Sequence, residues 1–63
     1  MAITLAAARV NKGLTQKEAA KMIGISLTTL QNYEKYKTKP DIDVCKKISE
    51  VYGLTINDIR WTQ

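Results

Sequence analysis

Residues 14–26 read LTQKEAAKMIGIS and contain start and stop signals for helices. Thr15, followed three residues later by Glu18, forms the capping-box pattern that starts a helix. Gly24 is the residue type that tolerates the left-handed backbone at a helix end. Ser26 is a cap residue for a following helix. The stretch therefore predicts one complete helix, a turn made of Gly24, Ile25 and Ser26 only, and the start of a second helix.

A turn this short makes the two helices cross at a steep angle. Their backbones then come close together, so the inner face needs small side chains, which Ala19 and Ala20 supply. Apolar side chains fill the space that the crossing leaves, namely Ile23, Ile25, Leu30 and Tyr33. The pattern predicts a helix-turn-helix unit over residues 16–35, in which the second helix of the unit runs to about Lys35.

Glycine, proline and cap residues divide the rest of the chain into further helices. The first helix is predicted over residues 3–11, because Arg9 and Lys12 suit a helix C-terminus and Gly13 follows as a stop. The fourth is predicted between the cap residue Asp41, directly after Pro40, and Gly53, with apolar residues at positions 42, 45, 48 and 52 at helical spacing.

A fifth, short helix is predicted after Thr55, with Ile56 and Ile59 directed inward. No stretch shows the alternation of a half-buried strand, so no strand is predicted. The fold class expected from these patterns is all-α, with five short helices in a single domain over residues 1–63. The initial Met1 and the full set of helices favour a free-standing protein, with a domain cut from a longer chain as the alternative.

Composition narrows the range of functions. The chain of 63 residues carries 10 basic and 6 acidic side chains, and lysines concentrate at positions 35, 37 and 39. Basic charge gathered in one part of a small fold is typical of a protein with a polyanionic partner. Without histidine and with Cys45 as the lone cysteine, the sequence predicts no metal, no cofactor and no disulfide.

Other features bear on activity and location. The sequence holds no carboxylate pair at catalytic spacing and no glycine-rich phosphate loop, so we expect no enzymatic activity and no small-molecule ligand. No apolar run approaches the length of a membrane span, so no membrane partner is predicted. A lone thiol suits a reducing compartment, and the cytoplasm is the expected location.

The motif resembles the Cro/C1-type (XRE-like) helix-turn-helix family of small phage and bacterial transcriptional regulators. With Gln16 as the first motif position, Ala20, Gly24 and Leu30 fall where that family has Ala, Gly and a branched apolar residue. Tyr33-Glu34, Lys37, Pro40 and residues 42–59 extend the similarity over about residues 5–59. The resemblance implies a lambda-repressor-like fold and a sequence-specific DNA-binding regulator, a repressor, whose third helix enters the major groove of operator DNA.

The sequence departs from the family pattern after the third helix, where Tyr36 stands at a usual glycine position. If this residue has a positive φ, its side chain costs about 1 kcal/mol.

A helical wheel of the third helix places Leu30 and Tyr33 on the core side. Its outer face is expected to contact DNA bases through Leu27, Thr28, Gln31 and Asn32. An ordinary solvated face is the alternative for these residues. The family resemblance and the nearby positive charge imply phosphate contacts from Gln16, Lys17, Ser26, Lys35, Lys37, Thr38 and Lys39. For each lysine a merely solvated charge is the alternative, and Lys46 and Lys47 are assigned to solvent.

Three further expectations concern contacts. The resemblance implies a structural pair between Arg9 and Glu34 that pins the third helix to the scaffold. The last segment, Leu54 to Trp61, is expected either to form a symmetric homodimer contact on DNA or simply to place Trp61 over its own core. The alternative to a DNA-binding regulator is an antitoxin-like or protein-interaction module that uses the same fold.

Overall fold

The computed structural model describes residues 2–63, which form four α-helices, one 3-10 turn and two short strands. The elements in chain order are β1 (Ile3–Thr4), α1 (Leu5–Asn11), α2 (Gln16–Ile23), α3 (Leu27–Glu34), α4 (Ile42–Tyr52), the 3-10 turn (Ile56–Asp58) and β2 (Ile59–Arg60). The helical fold is confirmed, but the predicted count of five helices is wrong. The predicted fifth helix is only a 3-10 turn of three residues, followed by a strand.

The predicted caps define the ends of the helices. The Thr15 hydroxyl accepts a hydrogen bond from the backbone N–H of Glu18 at 3.1 Å, and the Glu18 carboxylate accepts one from the backbone N–H of Thr15 at 2.9 Å. Ser26 and Asp41 accept from the third residue beyond them in the same way. Gly24 ends α2 with φ +90°, in the left-handed region. Local sequence signals therefore set α2, α3 and α4 within a residue or so of their predicted bounds.

The two strands were not predicted, and they correct the start of the first helix. Ile3 and Thr4 form β1, which pairs in parallel with β2 so that Ile3 lies opposite Ile59 and Thr4 opposite Arg60. Thr4 is the N-cap of α1, since its hydroxyl accepts from the backbone N–H of Ala7 at 3.1 Å. A strand of two residues is too short to show alternation in a sequence, and only contact with a distant segment creates it.

The core lies where α1, α2, α3 and α4 meet beneath the two strands. Its buried apolar residues are Leu5, Ala8, Ala19, Ala20, Ile23, Leu30, Ile48, Tyr52 and Ile59. Ala19 and Ala20 are buried as predicted, at the place where α2 packs against both α3 and α4. Of the apolar residues at helical spacing on α4, Ile42 is 61% exposed, because it is the first residue of the helix and lies at the edge of the core. Ile59 is buried, whereas Ile56 is only half-buried.

Within residues 2–63, none of the helices has the length and apolar character that crossing a membrane requires.

Candidate nucleic-acid interface

The N-terminal half of α3 presents two of the predicted base-contacting side chains to solvent. Thr28 is exposed and Leu27 is 40% exposed. Leu30, which lies on the other side of the helix axis from Thr28, is fully buried and fixes α3 against the core. Asn32, one turn further along, is half-buried. The first turn of α3 is therefore a surface that a DNA duplex can reach, and Asn32 lies one turn beyond it along the helix.

Gln31 occupies a different position from the one that the helical wheel indicates. It is half-buried, and its side-chain Nε2 donates to Gln16 Oε1 at 3.4 Å. A helical wheel represents one helix alone and does not show a partner on a neighbouring helix, such as Gln16 of α2. The structure thus brings Gln31 together with Gln16 of α2.

Arg9 and Glu34 lie together at the junction of α1 and α3. Arg9 Nε is 2.7 Å from Glu34 Oε2, and Arg9 Nη2 donates to Glu34 Oε1 at 3.3 Å. The third guanidinium nitrogen, Nη1, donates to the backbone carbonyl of Leu14 at 2.8 Å. The side chains are only 14% and 6% exposed, respectively, so solvent screens the pair weakly. This contact holds the last turn of α3 to α1 and to the segment before α2.

Gln16 also contacts the pair of Arg9 and Glu34, and the sequence analysis did not predict this contact. Gln16 Nε2 donates to Glu34 Oε1 at 3.0 Å, so a residue expected to bind phosphate also bonds the carboxylate of the structural pair. The signal that could have found this contact is the short turn at residues 24–26, since a steep crossing brings the start of α2 near the end of α3. We call the side chains of Arg9, Gln16, Gln31 and Glu34 the polar cluster.

The remaining candidates for phosphate contact are all exposed. They are Lys17 on α2, Ser26 before α3, and Lys35, Lys37, Thr38 and Lys39 after it. The Ser26 hydroxyl caps α3 and shares a hydrogen bond of 2.7 Å with the Thr29 hydroxyl. The ion pair of Arg9 with Glu34 is the only one among residues 2–63, so these lysines carry positive charge that no carboxylate neutralises within that range.

Tyr36 follows α3 and has φ +59°, the only positive φ of a non-glycine residue in the described range. The backbone N–H of Tyr36 donates to the Tyr33 carbonyl at 3.1 Å, and that of Lys37 to the Asn32 carbonyl at 2.9 Å. These two bonds form the Schellman motif that ends a helix. The Tyr36 hydroxyl donates to the Arg60 carbonyl of β2 at 3.3 Å. The lysine-bearing segment is thereby tied to the C-terminal strand.

Burial changes the acidity of two groups in the core. It raises the pKa of Tyr52 to about 12, and the nearby Glu34 carboxylate adds to the shift while Arg9 opposes it. Burial also raises the pKa of the Cys45 thiol, whose Sγ lies 3.6 Å from the Pro40 carbonyl oxygen. A raised pKa keeps the thiol protonated and unreactive.

Trp61 lies half-buried against the core beside the 3-10 turn. Its indole N–H donates to the Ile56 carbonyl at 2.9 Å. This is the packing that the simpler of the two predictions for Trp61 describes.

The fold and the crossing of α2 with α3 define a helix-turn-helix protein. A helix-turn-helix family model matches residues 5–59, which is the range of the resemblance seen in the sequence, and the chain belongs to this family.

Named relatives fit this assignment. The chain is 42% identical over 48 residues to the HTH-type transcriptional regulator ImmR of Bacillus subtilis. The aligned residues are 76% of this chain and 38% of ImmR. It is 37% identical over 51 residues to an uncharacterised HTH-type transcriptional regulator of Methanocaldococcus jannaschii, covering 81% of this chain and 77% of that protein. It is 33% identical over 51 residues to the cryptic phage CTXphi transcriptional repressor RstR of Vibrio cholerae, covering 81% of this chain and 46% of RstR.

Proposed function

We propose that this protein is a sequence-specific DNA-binding regulator of transcription, and that it acts as a repressor in the cytoplasm. The observation that carries the proposal is the division of α3 into two faces. Leu30 is fully buried, whereas Leu27 and Thr28 are exposed on the first turn of the helix. A helix held rigidly by one face and free on the other suits insertion into the major groove, which admits an α-helix.

The side chains on and beside that free face have the chemistry to distinguish bases. The Thr28 methyl group and Leu27 can pack against thymine methyl groups, and Asn32 can bond two edge atoms of adenine. Gln31, although hydrogen-bonded to Gln16, keeps one amide N–H and its carbonyl oxygen for a base. We therefore assign sequence reading to Leu27, Thr28, Gln31 and Asn32.

The exposed lysines provide affinity with little sequence information. Each lysine that neutralises a phosphate releases condensed counterions, so binding weakens as salt concentration rises. We assign phosphate contact to Gln16, Lys17, Ser26, Lys35, Lys37, Thr38 and Lys39. Repression follows from occupation of an operator that overlaps a promoter. The similarity to RstR, a transcriptional repressor, supports this direction of regulation.

Selection from a random pool of duplex DNA tests the proposal. We expect a preferred sequence to emerge, and Thr28→Ala and Asn32→Ala each to weaken binding to it by about tenfold, because each good base contact contributes about 1–3 kcal/mol of discrimination. If no preferred sequence emerges, or if both variants bind as the wild type does, base reading by α3 is wrong. Binding to a protein instead of DNA would then favour an antitoxin-like or protein-interaction module.

A charge variant tests the assigned phosphate contacts. Lys37→Ala should weaken binding to all sequences alike and reduce the slope of log affinity against log salt by about one. Lys47→Ala is the matched control, because Lys47 is an exposed lysine of α4 assigned to solvent. Equal salt slopes for the two variants would remove Lys37 from the interface.

We also propose that two copies pair on DNA through the segment from Leu54 to Trp61. Leu54 and Trp61 are both half-buried, so part of each apolar side chain remains for a partner. Two copies in a symmetric dimer would contact half-sites about one helical turn of DNA apart. Sedimentation at several protein concentrations, with and without the selected DNA, tests this. A monomer on a single half-site contradicts it.

A further inference from the structure

The four side chains of the polar cluster form a continuous chain of hydrogen bonds. Arg9 donates to both oxygens of Glu34, Gln16 donates to Glu34 Oε1, and Gln31 donates to Gln16 Oε1. These hydrogen bonds begin at Arg9 of α1 and pass to Glu34, the last residue of α3, and then to Gln16, the first residue of α2. They end at Gln31 of α3, which is assigned to base contact. They connect the interior of the fold to the DNA-facing side.

The direction of these bonds is fixed by the one charged acceptor. An ionised carboxylate can only accept hydrogen bonds, so Gln16 must turn its NH₂ group toward Glu34. Its carbonyl oxygen then faces Gln31, which in turn must present its own NH₂ group. Each amide could be reversed without changing its shape, so shape alone does not determine which end faces which neighbour.

Burial of Glu34 and Arg9 makes a reversal of the Gln16 amide unfavourable. The Glu34 side chain is 6% exposed and the Arg9 side chain 14% exposed, so water has little access with which to replace a lost partner. Arg9 Nε lies on Glu34 Oε2, and Oε1 accepts from Gln16 at 3.0 Å. Reversing Gln16 would place its carbonyl oxygen against the carboxylate, and two acceptors in contact repel each other.

We propose that Glu34 is a positioning residue for DNA recognition, whose carboxylate sets the amide direction of Gln16 and, through it, of Gln31. This inference rests on the proposed function. Gln16 keeps one N–H that is free to donate to a phosphate. Gln31 keeps one N–H and a carbonyl oxygen, which is the donor and acceptor combination that the major-groove edge of adenine requires. Glu34 thereby influences base choice without touching DNA.

Glu34→Gln reverses this direction while keeping the size of the side chain. The amide oxygen of the new residue takes the place of Oε2, where the closer Arg9 donor, Nε, lies at 2.7 Å. Its NH₂ group then takes the place of Oε1, where it faces Gln16 and gives up the longer bond from Arg9 Nη2. Gln16 then presents its oxygen to residue 34 and its NH₂ group to Gln31. Gln31 accepts that bond and is left with two donors toward DNA, which fit the two acceptors of guanine better than adenine.

Selection from random duplex DNA should therefore give different sequences for the two proteins. We expect wild type to select adenine at one position of each half-site, and Glu34→Gln to lose that preference and to bind the wild-type site about tenfold more weakly, the effect of losing about one hydrogen bond. Arg9→Lys is the matched control, because it weakens the same ion pair but keeps the carboxylate. It should lower the melting temperature and leave base preference unchanged.

A merely structural role for Glu34 predicts the opposite pattern. In that case Arg9→Lys and Glu34→Gln change affinity in proportion to their loss of stability, and both folded variants select the wild-type sequence. That result overturns the proposal. A wild type that selects no sequence overturns the proposed function instead, so the two failures are distinguishable.

The direction of the Gln16 and Gln31 amides can also be measured in the free wild-type protein, without any variant. Nuclear Overhauser spectra should show contacts from the side-chain amide protons of Gln16 to the Glu34 methylene protons, and from those of Gln31 to the side chain of Gln16. Absence of the contact between Gln16 amide protons and Glu34 overturns the proposed amide direction.

Discussion

Tyr36 holds a backbone conformation that glycine holds at the ends of the other three helices. Its φ is +59°, against +71° to +90° for the glycines, which are Gly13, Gly24 and Gly53. A side chain in this region costs about 1–2 kcal/mol because Cβ comes too near a backbone carbonyl oxygen. The half-buried ring and the hydrogen bond from its hydroxyl to the Arg60 carbonyl offset part of that cost.

Two substitutions at Tyr36 separate backbone strain from side-chain contact. Tyr36→Ala loses the contacts but keeps the strain, whereas Tyr36→Gly loses the contacts and relieves the strain. We expect the glycine variant to be more stable than the alanine variant by about 1 kcal/mol in urea unfolding. Thr38, at an ordinary φ in the same segment, provides the control: Thr38→Ala should be at least as stable as Thr38→Gly. Equal stability of the two Tyr36 variants would argue against strain there.

Tyr52 carries a buried hydroxyl that has no hydrogen-bond partner among the side chains and backbone groups of residues 2–63. Burial raises its pKa from 10.0 in the unfolded chain to about 12 in the fold. Below pH 10 the group is protonated in both states, so its ionisation makes no difference to stability. As pH rises from 10 toward 12, only the unfolded chain loses the proton, so the free energy of unfolding falls.

Tyr52→Phe should remove this alkaline loss. We expect it to be neutral or stabilising by up to about 1 kcal/mol at pH 7, since it removes an unpaired buried polar group. Between pH 10 and 12 its free energy of unfolding should decline less steeply than that of wild type, as followed by urea unfolding at each pH. Tyr36→Phe serves as the control for loss of a less buried phenol. Parallel declines for wild type and Tyr52→Phe would contradict the role of Tyr52.

At the scale of elements, the helices follow from local rules and the strands do not. Thr15, Ser26 and Asp41 each begin a helix by a bond to a backbone N–H three residues on, and such a signal is complete within a few residues of sequence. The strands β1 and β2 each hold two residues and exist only because they meet. Their pairing depends on how four helices fold back, which no local pattern contains.

The capping box of α2 predicts an acid-dependent part of stability. Hydrogen bonds from the backbone N–H and the hydroxyl of Thr15 hold the pKa of Glu18 below 4.5. The stabilisation is fully present above pH 4.5 and is lost as pH falls through the lower, folded value. Glu18→Gln can keep the hydrogen bond without the charge, so its stability should fall less than that of wild type in this range. Urea unfolding from pH 7 to pH 3 measures the difference.

Glu50→Gln is the matched control for that experiment. Glu50 is an exposed glutamate near the end of α4, where it caps no helix N-terminus. This variant should follow the acid decline of wild type. If Glu18→Gln also follows it, the charged capping box contributes nothing to the pH dependence.

At the scale of the whole molecule, the polar cluster connects three helices that the apolar core also joins. Glu34→Ala removes the acceptor of both Arg9 and Gln16 and leaves the guanidinium partly buried without its partner. We expect a loss of about 3 kcal/mol in the free energy of unfolding, a large fraction of the total for a domain of this size. Glu50→Ala should change it by less than about 0.5 kcal/mol. An unchanged melting temperature for Glu34→Ala would count against the structural role.

Only part of the candidate site can be predicted from the sequence. Exposure of Thr28 follows from the period of one helix, since Leu30 marks the buried side. Leu27 lies on the same side as Leu30, and its exposure follows instead from its place at the N-terminal end of α3. The hydrogen bond of Gln31 does not follow from that period, because it depends on a partner in another helix. The bond between Gln16 and Glu34 likewise requires the crossing of α2 with α3 in three dimensions.

The parallel pairing of β1 with β2 has a consequence for synthesis on the ribosome. Translation proceeds from the N-terminus, and domains form as their segments emerge. Ile3 emerges before the four helices, yet its partner Ile59 follows only after all of them. In the meantime the helix-turn-helix unit can fold through local contacts that include Ala20 and Leu30. The register of Ile3 with Ile59 can form only once Arg60 has left the exit tunnel, so this pairing waits until all four helices have been synthesised.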